Sequence, residues 1–140
     1  RLELTRRGDY AVRAMLALAA GKSGQVTTGR DIADQMAIPV AFLPRVMADM
    51  VAAGRAVDDR PVWRYVLARS AEEIALLEVI EAVEGDSRRT TCVLRGGPCG
   101  QDGHCQVHDV FFAAQDALLE RLRGVTLAAL ADRSGETRSR

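Results

Sequence analysis

The 140-residue sequence has no long apolar run, no net charge and no even set of cysteines. Its longest uninterrupted apolar stretch, residues 14–20, is too short to cross a bilayer, and no signal-peptide pattern opens the chain. We therefore expect an ordinary cytoplasmic protein of about one domain, without a membrane span. The balance of 19 Lys and Arg against 19 Asp and Glu also excludes a protein that coats nucleic acid through a uniformly basic surface.

The zero net charge hides two halves of opposite sign. Residues 1–69 carry 11 Lys and Arg against 7 Asp and Glu, whereas residues 70–140 carry 8 against 12. Lysine is nearly absent, with Lys22 beside 18 arginines, and the forked guanidinium group of arginine suits contacts with phosphate or guanine. A GC-rich genome would produce the same bias, so both interpretations stay open. We expect residues 1–69 to form a basic face and residues 70–140 an acidic face on the other side of the protein. This balance would keep nonspecific binding to polyanions weak.

The spacing of apolar residues predicts a mostly α-helical fold. A first helix is expected to begin near Thr5 and to end at Gly21, and it is apolar on most sides, which places it at the centre of the fold. Thr28 is positioned to cap a short second helix that ends at Met36, and a third helix is predicted over residues 40–53. A short helix, a tight turn and a second helix form the helix-turn-helix arrangement.

A β-hairpin, or wing, follows the third helix. Residues 55–57 and 62–67 flank the polar turn of residues 58–61, and the second run alternates with a period of two. Trp63 lies in this second run, where it either packs the hairpin onto the body of the protein, the interpretation we favour, or serves as a wedge at a binding surface.

A fourth helix and a long non-periodic segment come next. Ser70 and Glu73 have the spacing of a capping box that opens a helix ending at Gly85. Residues 86–104 contain four glycines and two of the three cysteines, and no helical or strand period. Such a long loop in a small domain is typically functional or disordered.

A long helix is predicted over residues 106–123, and it carries two apolar stripes. One stripe would pack on the body of the protein and the other on a second subunit, because an apolar face left on a monomer promotes aggregation. The expected dimer contacts are Val107, Val110, Phe111, Ala114 and Leu118. Thr126 is expected to cap a last short helix that ends at Ala131.

The sequence thus predicts a winged helix-turn-helix domain plus a long dimerisation helix. The winged helix-turn-helix domain covers residues 1–84, and a cysteine-containing loop covers residues 85–105. The dimerisation helix and the short last helix cover residues 106–131, and residues 132–140 form a disordered tail.

The three cysteines are the candidate ligands of an inorganic centre. Cys92, Cys99 and Cys105 precede His108 with gaps of six, five and two residues, and an odd number of cysteines suits a disulfide framework poorly. The paired cysteines of a structural zinc site are about two to four residues apart, which these gaps do not match. The spacing therefore favours an iron–sulfur cluster over zinc, with redox-active thiols as a third alternative.

Motifs spread along the chain resemble the Rrf-type winged-helix regulators, a family that includes the iron–sulfur regulator IscR and the nitric-oxide sensor NsrR. Besides the three cysteines, the motifs are residues 4–11 (LTRRGDYA), 32–34 (IAD), 42–46 (FLPRV), 67–69 (LAR), 80–85 (IEAVEG) and 125–127 (VTL). The resemblance covers residues 2–131. It implies a homodimeric bacterial transcription factor, expected to be a repressor, that binds a palindromic operator in double-stranded DNA. It also implies an iron–sulfur cluster whose response to nitric oxide, redox state or iron supply alters DNA affinity.

The resemblance assigns Cys92, Cys99 and Cys105 as the thiolate ligands and leaves the fourth ligand open. His108 matches the histidine of IscR-like members, which resembles a 2Fe-2S arrangement. Asp9 matches the aspartate that NsrR-like members supply from the partner subunit to a 4Fe-4S cluster. Without ligation, Asp9 is a first-turn helix acid favoured by the macrodipole and His108 is a solvated side chain. A non-thiolate ligand exchanges more readily than a thiolate, which suits a sensor.

For DNA, the resemblance places the predicted third helix in the major groove. We expect Arg45 to reach bases or backbone, with Thr28 and Arg30 near phosphates. Ala41 and Pro44 stand where IscR carries polar residues, so the operator should differ from an IscR site. The full set of candidate DNA contacts is Thr28, Arg30, Ala41, Phe42, Arg45, Arg60 and Arg64.

The predicted wing departs from the family pattern, because its tip is shorter and contains no glycine. Arg60 and Arg64 can still contact phosphate or enter the minor groove. The negative charges of Asp58 and Asp59 would repel the DNA backbone.

Two rival functions are a redox or metal-trafficking protein with a helical scaffold, and a DNA-binding regulator that uses zinc or bare thiols as its switch. An enzyme is not expected, because the sequence offers no Ser/His/Asp set, phosphate loop or paired-carboxylate cleft.

Overall fold

The computed structural model describes residues 3–59, 63–88 and 107–138, with side chains through residue 132. Within these ranges the chain forms helices around a small sheet. The elements are α1 (Arg6–Ala20), β1 (Thr27–Thr28), α2 (Gly29–Met36), α3 (Leu43–Ala52), β2 (Ala56–Asp58), β3 (Arg64–Leu67), α4 (Leu76–Glu84), α5 (His108–Arg123) and α6 (Leu127–Arg138). This mostly helical winged-helix fold confirms the predicted fold class. No described helix combines the length and apolarity needed to span a membrane.

Helix α1 lies at the centre of the fold, as predicted. The hydroxyl of Thr5 accepts a hydrogen bond from the Gly8 N–H at 3.1 Å, which caps the helix, and Gly21 follows its last residue. Ala14 and Met15 are fully buried, and α1 packs against α2, α3, α4 and α6. Burial on so many sides explains why its sequence is apolar on most faces.

The helix-turn-helix has its predicted first helix but a later second one. Thr28 caps α2 through a hydrogen bond from the Asp31 N–H, at 3.1 Å. Helix α3 begins at Leu43 instead of residue 40, so the predicted start was wrong. If the helix began at residue 40, the Pro44 ring would clash with the carbonyl of residue 40. Pro44 also has no N–H to donate to that carbonyl. In the observed helix Pro44 lies in the first turn, where no N–H is needed.

The wing belongs to a three-stranded antiparallel sheet in the order β1-β3-β2. In its register Val57 pairs with Val66, and Thr28 pairs with Arg64. Two-residue strands show no alternating pattern, which is why the periodicity did not predict β1. Strand β3 begins at Arg64, and residues 60–62 lie outside the described part of the chain.

The predicted cap of α4 was wrong, because the helix begins at Leu76. Ser70 instead donates to the carboxylate of Glu72, within a turn. The chain before α4 is extended because it pairs with the segment before α6: Leu76 donates to the Val125 carbonyl at 2.8 Å. This long-range pairing delays the helix, and the carboxylate of Glu78 accepts the Ala75 N–H at its start, at 2.8 Å.

The last two helices differ from prediction mainly at their ends. Helix α5 begins at His108, two positions later than predicted, and packs on α4. Thr126 caps α6 as predicted, accepting from the Ala129 N–H at 3.2 Å. The backbone of α6 stays helical to Arg138, beyond the predicted end at Ala131 and into the predicted tail. Packing of its first turns on α1 supplies the nucleus from which polar residues continue the helix.

Candidate functional site

Gly29 joins α2, α3 and the wing at one crowded point. Its N–H donates to the Trp63 carbonyl at 2.8 Å. A Cβ atom at this position would lie 3.1 Å from a Leu43 methyl carbon and 3.5 Å from the Tyr65 ring. The absence of a side chain therefore lets the start of α2 approach the sheet closely. This contact fixes the placement of Thr28 and Arg30 relative to α3.

Two arginines of the helix-turn-helix are free to meet an anionic partner. Arg30 in the first turn of α2 and Arg45 in the first turns of α3 are both exposed. Neither guanidinium group makes an ion pair or hydrogen bond within the part of the chain that the structure describes. By contrast, Arg7 and Arg13 on α1 are both engaged by carboxylates. Arg30 and Arg45 therefore retain their full hydrogen-bonding capacity for phosphates or base edges.

Ala41 and Phe42 lie in the turn that precedes α3, and not on the helix as the sequence predicts. The turn is closed by a hydrogen bond from the Phe42 N–H to the Pro39 carbonyl, at 2.9 Å. Phe42 is 43% exposed, and its ring lies 5.8 Å from the Tyr10 ring, centre to centre. Tyr10 thus supports an aromatic side chain that projects at the start of α3.

The wing presents a paired arginine and an exposed aromatic residue. Arg64 forms an ion pair with Asp59 at 3.2 Å, so the predicted phosphate contact by Arg64 competes with an internal carboxylate. Trp63 is 54% exposed, which contradicts the expectation that it packs the hairpin onto the body. Arg60 lies outside the described residues.

The three candidate cluster thiolates, Cys92, Cys99 and Cys105, lie outside the described residues. His108 is described: it is the first residue of α5, is half-buried, and stacks on the Phe112 ring with the ring centres 4.3 Å apart. This stacking orients the imidazole just after the predicted cysteine-containing loop, residues 85–105, which we call the cysteine segment from here on.

Asp9, the other candidate fourth ligand, is held by Arg13. The Arg13 Nε donates to Asp9 Oδ1 at 3.0 Å and its Nη2 donates to Oδ2, while its Nη1 donates to the Met36 carbonyl at 3.0 Å. The Arg13 hydrogen bonds lower the pKa of Asp9; partial burial raises it less, and the Arg13 charge lowers it further. The carboxylate is ionised at neutral pH, as a metal ligand must be.

The described residues alone do not assemble a metal site. Among residues 3–59, 63–88 and 107–138, no three His, Cys, Asp or Glu side chains lie close enough to hold an ion. The chain still offers donors that suit a cluster, since three thiolates and an imidazole are known ligands of iron–sulfur centres. Asp9 adds a carboxylate that Arg13 already engages.

The predicted dimer stripe of α5 is largely exposed. Val110, Phe111 and Leu118 are 68%, 49% and 37% exposed, Ala114 is also exposed, and Val107 is half-buried. The residue that anchors α5 is Leu119, which is 4% exposed and which the sequence pattern missed. One side of α5 thus packs on α4, and the apolar stripe remains available to another molecule.

The sequence also missed two contacts at the start of α1. The Glu84 carboxylate accepts hydrogen bonds from the Thr5 N–H at 2.6 Å and hydroxyl at 2.8 Å. Arg7 Nε donates to the Asp49 carboxylate of α3, also at 2.6 Å. The motifs quoted above include Thr5, Arg7 and Glu84. A motif does not indicate which distant residues contact each other in the folded chain, so these contacts could not be predicted from it.

Comparison with known proteins agrees with this architecture. Residues 4–133 match the model of the Rrf2 family, described as an iron-dependent transcriptional regulator. The chain is 32% identical over 130 residues to the HTH-type transcriptional regulator IscR of Cronobacter sakazakii and of Escherichia coli K12, covering 92% of this chain and 80% of each relative.

Solved structures share the fold. The structure of CymR, the global cysteine regulator of B. subtilis, has a TM-score of 0.81 at 23% identity, covering 95% of this chain and 98% of that one. The T. potens IscR structure has a TM-score of 0.74 at 22% identity, with coverages of 97% and 90%. The resemblance inferred from the motifs is confirmed, and the chain belongs to the Rrf2 family of transcriptional regulators.

Proposed function

We propose that this chain is a homodimeric repressor whose occupancy of a palindromic operator is controlled by an iron–sulfur cluster. The observation that carries the DNA-binding part is the pair of exposed arginines, Arg30 and Arg45, on the two helices of the helix-turn-helix, which make no ion pair among the described residues. The cluster part is supported by the spacing of Cys92, Cys99 and Cys105 and by membership of an iron-dependent family.

DNA recognition would use α3 in the major groove. Arg45 would contact a base edge or phosphate, and Arg30 a phosphate beside the capped start of α2. Phe42 would offer an apolar surface next to α3, suited to a thymine methyl group. In a two-fold dimer the two recognition helices must match half-sites about 34 Å apart, so a small rotation between subunits changes affinity.

Dimerisation would use the exposed stripe of α5. Val110 and Phe111 are exposed on α5 although one side of the helix packs on α4, and a second copy of the helix would cover them. Because α5 directly follows the cysteine segment, ligation in that segment and the spacing of the two subunits would be linked through the chain itself.

The cluster would be held by Cys92, Cys99 and Cys105, with His108 or Asp9 as the fourth ligand. When bound, it supplies an iron centre that responds to nitric oxide, redox state or iron supply. Ligation by His108 would use an imidazole already oriented by Phe112. Ligation by Asp9 would require the carboxylate to leave Arg13, which frees the Arg13 guanidinium near the end of α2.

Metal analysis of anaerobically purified protein tests the cluster. We expect iron and sulfide with visible iron–sulfur absorption in the wild type, and loss of that absorption in Cys99→Ala. Mössbauer spectra of His108→Ala beside Asp9→Ala would identify the fourth ligand. Stoichiometric zinc, or metal-free thiols, would overturn the cluster in favour of the zinc or thiol switch.

Binding to duplexes selected from a random pool tests the DNA function separately. Arg45→Ala should weaken binding by about 1–3 kcal/mol, roughly fivefold to 150-fold. Arg121→Ala, an exposed arginine on α5, is the matched control and should leave affinity unchanged. Absence of salt-dependent DNA binding in the wild type would instead favour a redox or metal-trafficking protein.

A further inference from the structure

The first turn of α1 is tied to the last residue of α4. Glu84 Oε1 accepts from both the N–H and the hydroxyl of Thr5, at 2.6 and 2.8 Å. A Cβ atom on Gly8 would overlap this carboxylate, so a larger residue there would displace the Glu84 side chain. The carboxylate also lies beside the N-terminus of α1, where the backbone N–H groups point at it.

The same turn of α1 is tied to the helix-turn-helix. Arg7 Nε donates to Asp49 Oδ2 of α3 at 2.6 Å, and a second guanidinium nitrogen lies 2.5 Å from the same oxygen. Arg13, six residues further along α1, donates a hydrogen bond to the carbonyl of Met36 at the end of α2. Residues 5–13 therefore contact the end of α4 on one side and both helices of the helix-turn-helix on the other.

We infer that Glu84 is a positioning residue that couples the cysteine segment to the recognition helix. The inference rests on the proposed function. Glu84 closes α4, and the chain turns immediately afterwards at Gly85, whose φ of +81° is a glycine conformation. A change in the path of the chain after Gly85 alters the position of the Glu84 carboxylate, and with it the first turn of α1 and the Arg7 contact with α3.

The strength of these contacts suits a switch. Glu84 and Thr5 are exposed, and Arg7 and Asp49 are partly so, so solvent competes for each bond. Contacts of this kind contribute little to global stability and are easily exchanged, whereas the buried core of α1 holds the fold when they break. Losing the Glu84 contact should therefore weaken the coupling between the cysteine segment and α3 without unfolding the domain.

Two variants break the contact from opposite sides, and two serve as controls. Glu84→Ala removes the acceptor, and Gly8→Ala displaces it with a methyl group. Glu84→Gln keeps an oxygen that accepts from Thr5 and should preserve the coupling. Glu120→Ala removes an exposed glutamate of α5 that is remote from α1 in sequence.

The first measurement needs no cluster. Hydrogen exchange of the metal-free protein should show faster exchange at the amides of Thr5, Gly8 and Asp9 and in α3 for Glu84→Ala and Gly8→Ala. Glu84→Gln and Glu120→Ala should keep the wild-type rates. The second is the ratio of operator affinities between cluster-loaded and metal-free protein. This ratio should move toward one by about threefold to tenfold in Glu84→Ala, with cluster content unchanged.

A Glu84→Ala protein that keeps the wild-type affinity ratio overturns the inference, whatever its exchange rates. Equal loss of coupling in Glu84→Gln also overturns it, because the amide retains the hydrogen-bond acceptor. If the wild type itself binds DNA equally well with and without a cluster, the proposed function fails first and the inference falls with it. If Gly8→Ala does not fold, the comparison of Glu84→Ala with Glu84→Gln decides.

Discussion

Helices α1 and α5 have nearly equal lengths, 15 and 16 residues, yet they relate differently to the rest of the chain. Six residues of α1 are buried, and four other helices pack around it. Among the described residues of α5, Leu119 is the buried one, and Val110 remains 68% exposed. The comparison shows that one chain is sufficient to define the position of α1, whereas α5 presents an exposed apolar stripe, which we propose that a second subunit covers.

The largest effect is expected where α1 is most buried. Met15→Ala removes a fully buried side chain and should lower the free energy of unfolding by about 2–5 kcal/mol, through lost burial and the cavity left behind. Leu4→Ala, at a residue that is 38% exposed, is the control and should cost less than about 1 kcal/mol. Urea unfolding followed by circular dichroism measures both. Equal losses would contradict the central role of α1.

The matching variant on α5 should affect assembly more than folding. Phe111→Ala removes a ring that is 49% exposed and should raise the dimer dissociation constant by about thirtyfold, equivalent to about 2 kcal/mol for a central interface residue. Arg121→Ala on the same helix should leave it unchanged. Sedimentation equilibrium measures the constant, and a monomeric wild-type protein would refute the proposed interface.

Helix α4 lies between the two, and Glu78 at its start allows a pH test. Partial burial raises the pKa of Glu78, but the hydrogen bonds from Ala75 and Arg69 and the charges of Arg55 and Arg69 together leave it below the ordinary 4.5. A lowered pKa contributes stability above pH 4.5, and that contribution is lost as pH falls through the lowered pKa.

Glu78→Gln should therefore reduce stability at pH 7 by roughly 1 kcal/mol. The difference from wild type should disappear in acid, below the folded-state pKa of the carboxylate. Glu72→Gln, an exposed neighbour without these partners, is the control. Chemical unfolding across this pH range measures the effect, and a difference that grows on acidification would contradict the assigned sign.

The smallest effect is expected at the turn that links α2 and α3. Ala37 has a φ of 53°, a left-handed conformation that costs a residue with a Cβ atom. Ala37→Gly should raise the free energy of unfolding by a few tenths to about 1 kcal/mol, since glycine adopts this conformation freely but loses more entropy on folding. Ala48→Gly, at an exposed position inside α3, should lower it instead. Thermal unfolding of the two variants distinguishes them by sign.

The elements that were predictable from sequence are those fixed by local signals. Thr28 and Thr126 cap their helices as predicted, because a side-chain cap involves residues only three apart. The first helix begins next to Thr5, as its periodicity indicates. The predicted cap at Ser70 and the predicted start of α3 failed where long-range strand pairing, or a clash at Pro44, overrode the apparent pattern.

The same distinction between local signals and long-range contacts applies to the candidate site. Exposure of Arg30 and Arg45 follows from the polar faces of their helices. Their contact with DNA stays a prediction. The contact between Thr5 and Glu84 joins residues 79 positions apart, and no periodicity or motif encodes such a pairing. The ion pair that holds Asp9 was also unexpected, although Arg13 stands one helical turn away.

The central claim is that an iron–sulfur cluster controls DNA binding, and one measurement tests it most directly. A single anaerobic preparation would be split, one half stripped of its cluster, and both titrated against the selected operator at a fixed salt concentration. We predict that the two affinities differ by about fivefold to 150-fold, the usual range of coupling between two sites. Equal affinities in the two halves would contradict the account.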